Sequence, residues 1–415
     1  MAEDSMAPTD NLVQILTDND QPGTQAIDRA LDAIRQHLGM PIAYLSEFVG
    51  NESVFRHVAA PGLEHIIKVG DARSLDDVYC RHIVEGRLPN LIPNTSKVPL
   101  AADMPVTQAV PIGSHASIPI LLDDGTVYGM FCCLSPEPND SLNARDLETM
   151  KLFAGLATEQ VRRSNRTESR RIETQQRVRN VLDESAFKIA YQPIVDTFRS
   201  RTLGYEALCR FQAEPIRTPD IWFAEAERVG LAEELEVAAV ALALQSIPML
   251  EDGQYISVNA SPTTIRSAAF QDVIKTVNPS SVLIEITEHA VIEDYDAFLR
   301  DISPMRAAGL KLAIDDAGAG HSSLRHILKI EPDFLKLDMS LVRDVDQDIS
   351  RRALISALLY YARETGAQII AEGIETQAEL DVLKRLGVTR GQGYFLGRPS
   401  YDLPRRMLEM RHTGS

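Results

Sequence analysis

The chain has 415 residues, enough for two or three domains with cores of their own. Its apolar and charged fractions are ordinary for a globular protein, and a formal net charge of −17 argues against binding to nucleic-acid polymers or acidic membrane surfaces. No apolar run approaches the length of a membrane span, and the start, Met1-Ala2-Glu3-Asp4-Ser5-Met6, lacks the basic and apolar regions of a secretory signal, so a cytoplasmic setting is expected.

Residues 1–23 are polar and lack apolar periodicity, which predicts a mobile tip. From Ala26 to Leu38, the spacing of Ile27, Leu31, Ile34 and Leu38 predicts a helix. Strand-like runs follow at Ile42–Ser46, Ser53–Val58, Ala116–Ile120 and Thr126–Leu134. The turn residues Asp123-Asp124-Gly125 join the last two as a hairpin. A helix is expected from Asn143 to about Ala157, with Leu147, Met150, Leu152, Phe153 and Leu156 on its apolar face. The set predicts an α+β unit with an antiparallel sheet and flanking helices. The four cysteines, Cys80, Cys132, Cys133 and Cys209, are spaced for neither a disulfide framework nor a zinc site. They read as reduced core thiols, with Cys132 and Cys133 on opposite faces of their strand.

This unit, residues 24–158, resembles a GAF domain, a small-molecule and signal-sensing module. The resemblance is carried by Tyr79-Cys80-Arg81-His82-Ile83-Val84-Glu85-Gly86-Arg87-Leu88-Pro89-Asn90-Leu91-Ile92, by the strand Gly125–Leu134, and by the helix close behind it. It implies an unidentified small-molecule ligand. Cys80 is followed by Arg81, whereas most covalent tetrapyrrole sites have His directly after the Cys, so Cys80 reads as a packed thiol.

Residues 159–180 contain seven arginines and no Gly or Pro, a composition that favours helix. Two readings stand: a solvated connector, or a signalling helix that pairs across a dimer.

In the remainder, residues 181–411, carboxylates sit near the ends of short apolar runs. Glu206 lies in Tyr205–Arg210, Asn259 closes Tyr255–Asn259, and Glu285 lies in Leu283–Glu288. Asp315 and Asp316 follow Lys311–Ile314, Lys336 and Asp338 lie in Phe334–Asp338, and Glu372 ends Ile369–Glu372. From Asn259 onward the runs recur roughly every 20–40 residues, the spacing of successive strands in a (β/α) barrel. Strand alternation would put Glu206 and Arg210 on one face, and Phe334, Lys336 and Asp338 on another. Charges inside a barrel are costly unless paired or bound to metal. The donors are hard oxygens without His or Cys, so Mg²⁺ or Mn²⁺ fits better than zinc.

The same stretch resembles an EAL domain, the phosphodiesterase family that acts on cyclic di-GMP. The matching pieces are Tyr191-Gln192-Pro193-Ile194-Val195, Glu206-Ala207-Leu208 with Arg210, Ser257-Val258-Asn259 and Glu285-Ile286-Thr287-Glu288. Further along come Ile314-Asp315-Asp316, Lys336-Leu337-Asp338, Ala371-Glu372-Gly373-Ile374-Glu375-Thr376 and Gly391-Gln392-Gly393-Tyr394. The resemblance implies an α/β TIM-type (β/α)₈ barrel with one reversed strand. It implies that Glu206, Asn259, Glu285, Asp315, Asp316 and Glu372 hold two metal ions, Asp315 bridging them. Lys336 would hold or polarise the attacking water, with Glu206, Asp315 and Asp316 also serving the chemistry. Gln192, Arg210, Asp338 and Gln392 would contact the substrate, and Glu288 and Glu375 would hold neighbouring loops and ligands. The expected product is linear pGpG, made by a homodimer whose GAF-like domain biases activity.

After the paired aspartates the family usually reads Phe-Gly-Thr-Gly-Tyr-Ser-Ser, whereas this chain reads Ala317-Gly318-Ala319-Gly320-His321-Ser322-Ser323. Ala317 removes an aromatic anchor, Ala319 removes a hydroxyl, and His321 replaces Tyr. Two rivals to the enzyme follow: a weak or inactive cyclic di-GMP receptor, and a GAF ligand sensor whose barrel binds a protein partner. Trp222 is expected to pack rather than to stack on a base.

Overall fold

The computed structural model describes residues 23–287, 290–317 and 323–403. It divides into two units that meet between Arg170 and Arg171.

The first unit holds strands β1 (Ile42–Val49), β2 (Glu52–Ala59), β3 (Ala72–Ser74), β4 (Leu91–Ile92), β5 (Ser114–Leu121) and β6 (Val127–Ser135). They form one antiparallel sheet in the order β3-β2-β1-β6-β5-β4. The β5–β6 turn is set by Gly125, whose φ of 83° suits glycine, and by Asp124, which accepts from Thr126 N at 2.9 Å. Period-two alternation gives the sheet two apolar faces. On one, Leu45, Phe131 and Cys133 pack against the helix Gly23–Leu38 and against Met150, Phe153 and Ala157. On the other, Tyr44, Phe55 and Cys132 pack against the helix Tyr79–Val84 and the chain around Met104. Cys132 and Cys133 therefore do face opposite ways, and all four cysteines are free thiols.

The expected helix after β6 and the Arg-rich stretch form a single 40-residue helix, Ala144–Asp183. Its start packs in the first unit and its end, through Val178 and Val181, in the second. Arg166 reaches Asp123 at 2.7 Å and Arg177 reaches Glu225 at 3.3 Å.

The second unit is a closed barrel built from β7 (Phe187–Asp196), β8 (Thr202–Phe211), β9 (Tyr255–Asn259), β10 (Val282–Thr287), β11 (Lys311–Ala317), β12 (Phe334–Leu337), β13 (Gln368–Ala371) and β14 (Arg390–Gly391). β7 runs antiparallel to both neighbours, β8 and β14, and the other pairs are parallel. The expected barrel with one reversed strand is what the chain forms. Ile194, Leu283, Ala313, Phe334 and Ile370 fill its interior as an apolar plug. Outward residues such as Ile256, Ile284, Ile314 and Leu335 pack under the helices. Trp222 is fully buried, its ring 5.3 Å from that of Phe211, so it is a packing residue.

Candidate active site

The plug seals the barrel interior below, and the next inward layer toward the strands' C-terminal ends is polar. Register brings its members level. Gln192 pairs with Glu206 across β7–β8, Glu206 with Ser257 across β8–β9, and Asn259 with Glu285 across β9–β10. Thr287 pairs with Asp315 across β10–β11, and Lys336 with Ile370 across β12–β13. Inward positions alternate along each strand, so one polar residue per strand end is enough to line the rim.

Lys336 is the centre of this layer and is wholly buried. Its Nζ lies 2.6 Å from Glu372 Oε1, 2.7 Å from Glu285 Oε2, 3.2 Å from Asp315 Oδ1 and 3.6 Å from Glu206 Oε1. Asn259 Nδ2 donates to Glu206 Oε1 at 3.4 Å, and the Ser257 hydroxyl donates to Glu285. Gln392 Nε2 donates both to Glu206 and, at 3.1 Å, to Gln192 Oε1. Gln192 is held in turn by its own donation to Gly397 O at 3.1 Å. The side-chain amide oxygen of Gln392, Oε1, is buried and has no hydrogen-bond partner among the described residues.

Asp316 breaks the alternation. Its φ of 56° is left-handed, a conformation Asp tolerates better than most residues. Consecutive carboxylates can therefore share one side: Asp315, Asp316 and Glu372 each offer an oxygen within 4.8 Å of the others.

One ammonium facing four carboxylates leaves a surplus of negative charge. Burial pulls the Lys336 ammonium down, but the surrounding carboxylates win and hold its pKa well above the ordinary lysine value. Burial, with the neighbouring carboxylates, pushes Glu285 well up and Glu372 to about 8. Burial also opposes the charge on Glu206, yet the Lys336 ammonium and donors from Gln392 and Asn259 outweigh it and lower its pKa. Carboxyls crowded in this way, beside hard oxygen donors, are the groups that a bound divalent cation would keep ionised.

The loops that carry these groups are fixed from behind. Glu379 accepts from Glu375 N and Thr376 N, both at 2.9 Å, and from Asp344 N at 3.1 Å. Thr376 and Glu379 also form a capping box on the helix Gln377–Leu386. Glu236 grips Ser261 N at 2.8 Å and Oγ at 2.9 Å, just past Asn259. A side chain on Gly393 would meet Ile374 N at 2.2 Å, so only glycine lets the chain that bears Gln392 lie this close.

One expectation about side-chain direction is corrected. Asp338 does not share the inward face of β12, because the strand ends at Leu337. Asp338 instead caps the helix Met339–Val342, accepting from Ser340 N at 2.9 Å. Arg210 stands four residues after Glu206 in the unbroken strand β8, so alternation keeps it on the Glu206 face; it lies beyond the pairing with β9, donates to Cys209 O at 2.9 Å, and lines a groove with Asn259 and Thr287. Glu375 ion-pairs with Arg343 at 2.8 Å, joining the segments that follow β12 and β13. Glu288 and the stretch Gly318–Ser322 lie outside the described residues. Sequence reading gave no role to Ser257, Glu236 or Glu379. Only Glu379 carried a local signal, the Thr-x-x-Glu spacing of a capping box.

Residues 175–399 match the EAL domain family and residues 24–159 the GAF domain family. A bifunctional diguanylate cyclase/cyclic di-GMP phosphodiesterase, MucR of Pseudomonas aeruginosa, is 30% identical over 54% of this chain and 34% of its own length. A probable cyclic di-GMP phosphodiesterase of Escherichia coli, PdeN, is 28% identical over 54% of this chain and 45% of its own length. The chain thus spans less than half the length of either relative. The EAL domain of Xanthomonas citri FimX, solved with cyclic di-GMP, superposes with a TM-score of 0.52 at 19% identity, over 58% of this chain and 100% of its own, a likeness of fold.

Proposed function

Because the chain belongs to the EAL domain family, with a GAF domain ahead of the barrel, we propose that it hydrolyses cyclic di-GMP to linear pGpG. The observation that carries this reading is the buried Lys336 at the centre of Glu206, Glu285, Asp315 and Glu372 on the barrel rim. Hydrolysis adds one water across one phosphodiester, breaking a bond from phosphorus to a ribose 3′ oxygen and leaving a 5′ phosphate.

Asp315, Asp316 and Glu372, with Glu206, Asn259 and Glu285 beside them, would hold two divalent cations, Mg²⁺ or Mn²⁺. When bound, these cations supply positive charge that offsets the anionic phosphodiester and makes water a better nucleophile. Set among four carboxylates, Lys336 would act as a donor and a positive charge. It fixes its carboxylates against mutual repulsion and can orient the attacking water. Ionised Glu206, tied to Asn259 and Gln392, is an acceptor of fixed direction. Gln192 and Gln392 form an amide pair beside it, and the open Gln392 Oε1 would accept a substrate N–H. Arg210 and Asp338 would reach the substrate from the rim, outside the carboxylate cluster. Glu375 would hold the loops from the outside, and Glu288 is assigned the same role from its sequence alone.

The GAF domain would bias this activity through a bound small molecule, within a homodimer joined along the helix Ala144–Asp183. A cytoplasmic setting belongs to the same reading. Among the described residues, no helix is long and apolar enough to cross a membrane.

Product analysis tests the proposal. Protein incubated with cyclic di-GMP and Mg²⁺ or Mn²⁺ should give metal-dependent pGpG that vanishes in Glu206→Ala. Binding without product would favour the receptor reading, which rests on the departures at Ala317, Ala319 and His321.

A further inference from the structure

Outside the rim cluster, Glu225 is a buried carboxylate shared by three arginines. It is 7% exposed and lies on the helix Pro219–Arg228. Arg177 meets it with two nitrogens, Nε 3.3 Å from Oε2 and Nη2 3.4 Å from Oε1. Arg217, in the segment before that helix, donates to Oε1, and Arg228 Nη2 lies 3.9 Å from the same oxygen. A buried ion pair contributes little net stability, and apolar side chains of similar volume often do as well or better. A forked charge contact does fix direction as well as distance, which apolar contact does not.

The helix that carries Glu225 touches two features of the barrel unit. One is the end of the helix Ala144–Asp183, which bears Arg177 and packs Val178 and Val181 in one apolar cluster with Trp222, Ala226 and Val229. The other is the groove lined by Arg210, Asn259 and Thr287, where Pro219, Asp220 and Phe223 form part of the wall. Neither Glu225 nor Arg177 lines that groove. Phe211 follows Arg210 on β8, and its ring stacks on Trp222 at 5.3 Å and meets Phe223 edge-on at 5.7 Å. Arg217 lies over the Trp222 ring, 6.0 Å from its centre. One short helix therefore holds a groove wall at its start and, further along, the carboxylate that the long helix grips.

We propose that Glu225 is a positioning residue for substrate binding: through Arg177 it ties the end of the long helix to the helix Pro219–Arg228, so that a shift of the long helix moves the groove wall opposite Arg210. The inference rests on reading the groove as part of the cyclic di-GMP site, and it names the joint through which the GAF domain would bias the enzyme. A displacement of Arg177 is passed on because both nitrogens hold the same carboxylate, and the Trp222–Phe211 stack connects that helix to the strand bearing Arg210.

Steady-state kinetics of the full chain with cyclic di-GMP test it. Glu225→Gln and Arg177→Gln should each raise KM about tenfold and change kcat by less than about twofold, a coupling within the range of one ion-pair network. The double variant should be no worse than Glu225→Gln alone. Arg177→Lys, which keeps the charge but not the fork, should recover part of the loss. Arg179→Gln cuts the neighbouring ion pair of the same helix, to Glu234, and should leave KM unchanged. Trp222 is the only tryptophan in the chain, so its emission reports whether each variant keeps the joint packed. If Glu225→Gln fails to fold, Arg177→Gln carries the test, since that side chain is 27% exposed. Where cyclic di-GMP binds without turnover, the dissociation constant takes the place of KM. The proposal is overturned by an unchanged KM in folded variants, by a fall in kcat alone, or by an equal effect of Arg179→Gln. A parent that neither binds nor hydrolyses cyclic di-GMP overturns the phosphodiesterase reading and this inference with it. A working parent with indifferent variants overturns the inference alone.

Discussion

The ammonium of Lys336 lies 2.7 Å from Glu285 Oε2, and both side chains are buried where three further carboxylates converge. A lysine there is both the counter-ion that lets those acids coexist and a donor aimed at the rim. Buried ion pairs are poor sources of net stability, because desolvation offsets most of the attraction. Their conservation of geometry is instead what serves chemistry, since each oxygen is held before any substrate arrives.

Lys336→Met should therefore abolish pGpG formation and destabilise the barrel by roughly 3–5 kcal/mol, the usual effect of removing one partner of a buried ion pair. Mg²⁺ or Mn²⁺ should recover part of the lost stability by replacing the missing charge. Melting curves with chelator and with each cation check this. A variant as stable as the parent in chelator would show that the carboxylates do not depend on Lys336.

Gln392→Leu removes the donor shared by Glu206 and Gln192 and the buried open Oε1. The expected result is a rise in KM of about tenfold or more with a smaller fall in kcat, the pattern of lost ground-state and transition-state binding together. Steady-state kinetics on cyclic di-GMP would separate the two. An effect on kcat alone would place Gln392 with the reacting groups, not the binding ones.

Glu379→Ala strips acceptors from Glu375 N, Thr376 N and Asp344 N. Loss of such a cap costs about 2 kcal/mol. Chemical denaturation should show that loss. Turnover should fall severalfold, through loosening of the segment that carries Glu372, with the metal requirement unchanged. Full turnover in the variant would remove Glu379 from the support of the site.

His115 gives the first unit a pH dependence of definite sign. Between about pH 4 and 6.5 the unfolded chain holds a proton on this imidazole that the folded domain does not. Stability therefore rises with pH across that window and is lost as pH falls through it, by at most about 3 kcal/mol at 1.36 kcal/mol per pKa unit. Unfolding of the first unit in His115→Phe should lose this slope. Denaturant midpoints at pH 5 and pH 7, read from a probe in the first unit, decide the matter.

Much of this protein was legible without coordinates. Alternation and turn residues placed the hairpin of β5 and β6 and put Cys132 and Cys133 on opposite faces, because strand periodicity is local. The spacing of apolar runs ending in polar residues, from Asn259 to Glu372, placed the barrel strands, because each parallel strand needs a crossover of similar length. What sequence could not reach was direction beyond the end of a strand. Asp338 follows Lys336 at strand spacing, yet the chain turns at Leu337 and its carboxylate becomes a helix cap. Asp316 shows the reverse: a left-handed backbone brings it to the same side as Asp315 against the alternation. The amino-acid order determined which groups the chain brings to the rim, since hydrogen bonding and apolar pattern act over a few residues. Only closure of the barrel decided that one lysine would meet four carboxylates, three on other strands and one just past the end of β13, because those distances depend on register summed around the whole sheet.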